Sequence, residues 1–95
     1  MAASDEASFE IETRWKEEVY YWEGAAGFCF HAGWGVTPPV LLVPSLEHWD
    51  SAVPGWLRGR RDEVIRRLEA HSEHVLKVDD RGYESGQGSR HEATR

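Results

Sequence analysis

The strongest constraint on the fold is the alternation of residue types from Phe9 onward. Apolar or uncharged residues occupy one parity and charged residues the other: Phe9, Ile11, Thr13 and Trp15 against Glu10, Glu12, Arg14 and Lys16. A period of two is typical of a β-strand that buries one face and exposes the other. The chain therefore begins a β-sheet here, and the glutamates are expected on the exposed face.

Further segments with strand patterns follow. Residues 18–23 and 28–32 alternate in the same way, and Gly24 permits the tight connection between them. The apolar run 40–43 comes after two prolines and is stopped by Pro44, which favours a strand that starts after the prolines. Residues 73–78 alternate loosely and could form a last strand. Together these patterns predict an antiparallel meander.

Helical signals appear only in the second half of the chain. Ser45 is a suitable N-cap for a short helix from Leu46. Pro54 can open a longer helix to about residue 71, whose apolar stripe would contain Leu57, Val64 and Leu68. We therefore predict an α+β fold: an antiparallel sheet of four to five strands in meander order, with one main C-terminal-half helix on one face and a short helix besides.

The same patterns predict the domain organisation. Residues 1–78 are expected to form a single domain with residues 1–7 frayed. Residues 79–95 contain three glycines, few apolar residues and no periodicity, which is typical of a disordered tail.

The stretch GWGVTPPVLLVPS predicts a sharp bend followed by rigid extended chain, because Gly33 and Gly35 flank a tryptophan and two prolines follow. On the long helix predicted from Pro54, Arg61 falls inside the apolar stripe. A buried guanidinium needs partners, and the carbonyls of the bend or the carboxylate of Asp50 could supply them. We expect a structural clasp formed by Arg61, Gly33 and Gly35, and as the alternative an arginine that grips a ligand.

No pattern in the chain identifies a reaction. Cys29 and His31 share a strand face, but neighbours at this spacing are roughly 7 Å apart, too far for a nucleophile–base hydrogen bond. A single cysteine builds neither a disulfide nor a structural zinc site. We predict a protein that is not an enzyme and has no metal or cofactor. With no signal-like or membrane-spanning segment, it is expected in the cytoplasm.

The net charge of −6 is concentrated near the N-terminus, where residues 1–23 hold seven acidic and two basic residues. This acidity disfavours nucleic acid and fits a basic protein partner, which complementary charge would orient. The predicted partner-binding residues are acidic side chains and one tryptophan beside the bend: Glu10, Glu12, Glu17, Glu18 and Trp34.

Two alternatives stay open. Arg58, Arg60, Arg66 and Arg67 form the one basic cluster and could contact nucleic acid, although acids are interleaved with them. The Gly33–Pro39 bend could also line a pocket for a substrate or ligand.

The combination of GWGVTPPVLLVPS, Trp49–Asp50 and VPGWLRGRRDEVIRRL resembles small uncharacterised bacterial proteins, some of them associated with toxins. The resemblance covers residues 33–68 and includes no catalytic motif. It implies an immunity or antitoxin-like protein, in which case the basic partner expected from the charge would be a toxin.

Overall fold

The computed structural model describes residues 9–15, 18–33, 38–81, 83 and 91–95. It contains six strands: β1 (Glu10–Trp15), β2 (Glu18–Glu23), β3 (Ala26–Gly33), β4 (Val40–Val43), β5 (Val75–Val78) and β6 (Glu92–Thr94). The helices are α1 (Leu46–Ala52) and α2 (Arg61–His71). The predicted α+β class, with a main helix in the C-terminal half, is confirmed.

The strand order is β1-β2-β3-β4-β5, and β6 pairs with β3. The first four strands form the predicted antiparallel meander. β5 instead runs parallel to β4, because α1 and α2 carry the chain back to the starting end of the sheet before β5 begins. The sheet is therefore mostly antiparallel, with one parallel pair.

The prediction that residues 79–95 form a disordered tail is wrong for Tyr83 and for residues 91–95. Tyr83 has no exposed surface, and β6 pairs with the first residues of β3. One tyrosine and a three-residue strand give too short a pattern for periodicity to detect. Their order comes from contacts with a strand far away in the chain.

Tyr83 fills the place where β3 and β4 separate. These strands pair at only two positions. At the next position the Tyr83 hydroxyl accepts a hydrogen bond from the His31 N–H at 2.6 Å and donates one to the Leu42 carbonyl at 2.8 Å. The hydroxyl thus satisfies two backbone groups that would otherwise bond to each other across the ladder.

The core lies between the helices and one face of the sheet. Its largest fully buried side chains from the helical region are Trp49, Leu57 and Leu68. The Trp49 indole Nε1 donates to the Leu57 carbonyl at 2.8 Å, so the polar end of this buried ring is satisfied.

The long helix predicted from Pro54 is divided. A 3₁₀ turn spans Gly55–Leu57, and α2 begins only at Arg61. Gly59 separates the two with a φ of +74°, a conformation that side chains disfavour and that ends a helical run. The pattern of Leu57, Val64 and Leu68 predicted burial correctly, but not an unbroken helix.

Candidate partner-binding face

We call the side of the sheet opposite α1 and α2 the outer face. Side chains at alternate positions of β1, β2 and β3 project from it: Glu10, Glu12, Arg14, Glu18, Tyr20, Trp22, Cys29 and His31. The register fixes this set, because Glu12 pairs with Tyr20 and Tyr20 pairs with Cys29. The intervening residues, such as Val19 and Phe30, belong to the core beneath the helices.

Trp22 anchors the outer face and is only 2% exposed. The indole lies against Gly27, where an added Cβ would sit 2.5 Å from two ring carbons, so a glycine is required at that position. Its Nε1 donates to Glu12 at 2.9 Å, and the Arg95 guanidinium lies 4.4 Å from the ring centroid. A buried indole is thus sandwiched between backbone and a cation.

A second cation–ring pair lies beside the first. Tyr20 stacks on Trp22 with the ring centroids 5.7 Å apart, and the Arg14 guanidinium lies 4.4 Å from the Tyr20 ring. Each arginine also meets a carboxylate: Arg14 bonds to Glu12 at 3.3 Å, and Arg95 bonds to Glu10. The centre of the outer face is therefore two stacked aromatic rings with an ion pair over each.

The predicted binding glutamates are partly brought together. Glu10 and Glu12 lie on the outer face, as the alternation predicted, and the strand register places Glu18 on the same face. Glu17 and Trp34 lie outside the described residues. The hydrogen bond from Trp22 and that from Arg14 hold the pKa of Glu12 below its usual range, so this carboxylate is ionised.

The outer face is mixed in charge rather than purely acidic. Two guanidinium groups, of Arg14 and Arg95, accompany its three carboxylates. Sequence reasoning missed Arg95 because it lies in the segment predicted to be disordered. Arg95 follows β6, and its side chain passes over Trp22 on β2 to reach Glu10 on β1, 85 residues away in sequence. The length of the arginine side chain, which allows such a distant contact, is the one property in the sequence that could have indicated it.

Cys29 lies on this face but is buried, and its Sγ is 3.8 Å from the Phe30 carbonyl. Burial, and then the negative charge of Glu18, raise the pKa of the thiol to about 11. The thiol is therefore protonated at neutral pH, unlike the thiolate that nucleophilic catalysis requires.

On the opposite side of the sheet, two arginines from the start and middle of α2 hold the end of β2. Arg60 grips both oxygens of Glu23, at 3.0 and 2.6 Å, and Arg67 reaches the same carboxylate at 3.3 Å. Glu63 bonds to both arginines. We call these four residues, with Tyr21, the Glu23 network.

Tyr21 completes the Glu23 network. Its hydroxyl donates to Glu23 at 2.6 Å and accepts from Arg67 at 2.7 Å. Burial, and then the neighbouring carboxylate, raise the pKa of Tyr21 to about 12. Burial opposes ionisation of Glu23, but the hydrogen bonds from Arg60 and Tyr21 outweigh it and keep the pKa of Glu23 below its usual range.

The predicted clasp has a different geometry. Arg61 is partly buried in the first turn of α2, and its Nε donates to the Pro44 carbonyl at 3.0 Å. That acceptor follows β4, whereas the predicted acceptors were carbonyls of the bend or the carboxylate of Asp50; Gly35 lies outside the described residues. Arg61 thus ties α2 to the end of β4, whereas Arg60 and Arg67 bind Glu23 at the end of β2.

The arginine cluster proposed to contact nucleic acid does not form one surface. Arg60 and Arg67 are engaged by the Glu23 network. Arg58 donates to the Asp50 carbonyl at 3.0 Å and is exposed, as is Arg66. Two exposed arginines among acidic neighbours offer few phosphate contacts.

Ser45, His48 and Asp80 form a cluster that the sequence analysis did not find. His48 Nδ1 lies 2.9 Å from the Ser45 hydroxyl and 3.1 Å from Asp80. In a catalytic triad the serine and the carboxylate bind opposite ring nitrogens, whereas here both meet the same one. The Ser45 N–H also bonds to Asp80 at 2.7 Å and lowers the pKa of that carboxyl. The cluster therefore attaches the start of α1 to the residues that follow β5.

Two cavities border α2. One of about 360 Å³ is lined by side chains near the start of α2, Arg61 and Arg66 among them. The other, of about 500 Å³, lies at the far end of α2 and includes Pro39, the last residue of the predicted bend. His74 lines this second cavity, and its Nδ1 is buried with no hydrogen-bond partner among the described residues.

Within the described residues, no three His, Cys, Asp or Glu side chains are grouped so that they could hold a metal ion. No helix in that part of the chain has both the length and the apolar character needed to cross a membrane. Comparison with protein-family models, with curated proteins and with solved structures finds no match to this chain.

Proposed function

We propose that this protein is a non-enzymatic protein-binding module that docks its partner on the outer face. The observation that carries the proposal is the group formed by Tyr20 and Trp22 beneath Arg14 and Arg95, on the side of the sheet opposite both helices. Tyrosine, tryptophan and arginine are the residue types that dominate binding energy at protein interfaces.

The exposure of these groups supports docking. The arginine and glutamate side chains over the two rings are 38–58% exposed, so a partner can reach them. The rings beneath are already fixed by stacking and by Gly27, so their order does not have to be created on binding. The surface therefore presents two rigid aromatic rings, with ion pairs above them that charged side chains of a partner can replace.

Within this class we propose a basic partner, with an immunity-like role that masks a toxin as the specific hypothesis. Glu10, Glu12 and Glu18 present three carboxylates against two arginines on the outer face, and the whole chain is acidic. Lysine or arginine side chains of a partner could replace Arg14 and Arg95 over the carboxylates. Complementary charge of this kind speeds and orients association.

The experiment compares two charge-reversed proteins as baits in native-host extract. The test protein carries Arg14→Glu and Glu18→Lys on the outer face; the control carries Arg66→Glu and Glu69→Lys, both exposed on α2. A protein captured by wild type and control but lost by the outer-face variant supports the proposal. A partner held equally by all three, or no specific partner at low salt, contradicts it.

A second candidate function, binding of a small ligand, is favoured by the cavity of about 500 Å³ that Pro39 and His74 line. An unpartnered buried nitrogen such as His74 Nδ1 calls for a water or ligand group. A fragment screen by NMR tests this: hits that shift the His71 and His74 ring signals and vanish in His74→Ala support it. Hits that distribute over the whole surface count against it.

A further inference from the structure

β5 is the outermost strand beside β4 and exposes apolar side chains. Val75 is 51% exposed and Val78 is 54% exposed. Leu46, the remaining large exposed hydrophobic residue among those described, begins α1 next to the Ser45–Asp80 attachment at the end of β5. The apolar exposure of the described chain is therefore concentrated along one edge of the sheet.

Among the described residues, no strand pairs with the side of β5 that faces away from β4. Val75 donates its N–H to Pro39 at 2.8 Å, and Asp79 donates to Val43 at 2.9 Å. In a parallel pair, alternate residues face the neighbouring strand. The N–H and C=O groups of Leu76 and Val78 consequently point away from β4, toward the free edge.

The opposite edge of the sheet is protected in ways that β5 is not. β1 has an irregularity in its pairing between Thr13 and Trp15, and its outward side chains are charged. Bulges and charges are the usual means by which edge strands avoid pairing. β5 is regularly paired and carries one charge, Lys77.

We propose that β5 pairs antiparallel with β5 of a second copy of this chain, about a two-fold axis at Lys77. Leu76 of each copy then lies opposite Val78 of the other copy. The N–H and C=O groups of these two residues form hydrogen bonds across the interface. Glu73 precedes β5 and Arg81 follows it, each four residues from Lys77, so opposite charges of the two copies meet at each end of the interface. The Arg81 side chain is 88% exposed and is paired in its own chain with Asp79.

The same register predicts that the dimer is weak. Lys77 lies opposite Lys77 of the second copy, and like charges directly opposite each other destabilise a strand pair. A pairing of four-residue strands also buries much less area than a stable obligate dimer does. The dimer is therefore concentration-dependent, and Lys77 limits its affinity.

Sedimentation equilibrium over a concentration series tests the proposal with a matched pair of variants. Val75→Lys and Val78→Lys each replace a half-exposed valine of β5 with lysine. Val78→Lys places a charge opposite Leu76 and should weaken the dimer more than about tenfold. Val75→Lys places it opposite Asp79 of the second copy and should leave the dimer in place. Lys77→Thr should tighten it about two- to fivefold.

Wild type that stays monomeric at every concentration overturns the proposal, as does equal weakening by the two valine variants, which would indicate a general apolar patch. Circular dichroism confirms that each variant is folded before its association is measured. Because these residues lie on β5, apart from the β1–β3 residues proposed to bind the partner, failure here leaves the proposed partner-binding function untouched, and the reverse holds as well.

Discussion

The two faces of the sheet use the same residue types to different ends. On each face, two arginines form ion pairs with two glutamates beside aromatic rings. In the Glu23 network these charged side chains are 12–33% exposed and join α2 to β2; on the outer face they are 38–58% exposed and join only strands. Partial burial makes the first group a fixed element of the fold, whereas water can replace each contact of the second.

The largest expected difference between the faces comes from removing one carboxylate charge on each. Glu23→Gln keeps the shape but leaves Arg60 and Arg67 with one shared carboxylate, that of Glu63, in place of two, so the free energy of unfolding should fall by about 2 to 3 kcal/mol. Glu12→Gln should have no measurable effect, because the amide oxygen can still accept from Trp22. Chemical denaturation of both variants gives the comparison.

The pH dependence of the same pair provides a control. The folded-state pKa of Glu23 is below its unfolded value, so its contribution is present above the usual carboxyl range and is lost as pH falls through the folded pKa. The deficit of Glu23→Gln relative to wild type should therefore shrink in acid. A deficit that is constant with pH would mean that the charge of Glu23 is not the cause.

The substitution Gly27→Ala tests the close packing of Trp22 against the backbone on the outer face. The new methyl would overlap the buried Trp22 ring, so the indole must move, at an expected cost of about 1 to 3 kcal/mol. Trp22 fluorescence should report increased solvent exposure. Gly33→Ala is the matched control, since a Cβ there meets no atom within 4 Å. Equal destabilisation by both variants would contradict the proposed close approach.

The stability contributed by the Glu23 network should also fall at alkaline pH. Because the pKa of Tyr21 is raised from 10.0 to about 12, its contribution is fully present below pH 10 and is lost as pH rises toward 12. The expected slope is at most about 1.4 kcal/mol per pH unit for one proton. Tyr21→Phe should reduce this slope in denaturation experiments; an unchanged slope would assign the effect to other tyrosines.

The smallest predicted effect distinguishes two arginines of α2. Arg67→Lys loses the fork that reaches Tyr21, Glu23 and Glu63, and should cost about 1 kcal/mol. Arg61→Lys loses one hydrogen bond to a backbone carbonyl and should cost less. Melting temperatures of the two variants test the order. The reverse order would restore Arg61 as the main attachment of the helix.

The comparison also shows what a sequence can predict. Alternation located the first three strands and the outward position of Glu10 and Glu12, because a period of two is a local property of the chain. The apolar run between Pro39 and Pro44 located the fourth strand, and helical periodicity identified Leu57, Val64 and Leu68 as buried. These features depend on neighbours in sequence, for which pattern and environment agree.

The features that were missed depend on distant contacts. Arg67 looked available to nucleic acid because its partner Glu23 lies on another element, and Tyr83 looked disordered because its hydrogen-bond donor lies on β3 and its acceptor on β4. The helix predicted from Pro54 failed locally, at Gly59, where one residue with positive φ divides an otherwise helical pattern. Pairing between elements is set by tertiary geometry, which periodicity does not contain.

The position of Tyr83 has a consequence for folding kinetics. Its hydroxyl meets the His31 backbone across 52 residues of sequence, so the junction of β3 and β4 can be sealed only after a large loop has closed. Contacts of such high sequence separation slow folding, since the chain loses conformational entropy before the contact stabilises it. β1, β2 and β3 can thus form early through local hairpins, whereas the Tyr83 contacts between β3 and β4 wait for the C-terminal segment and are expected to form late.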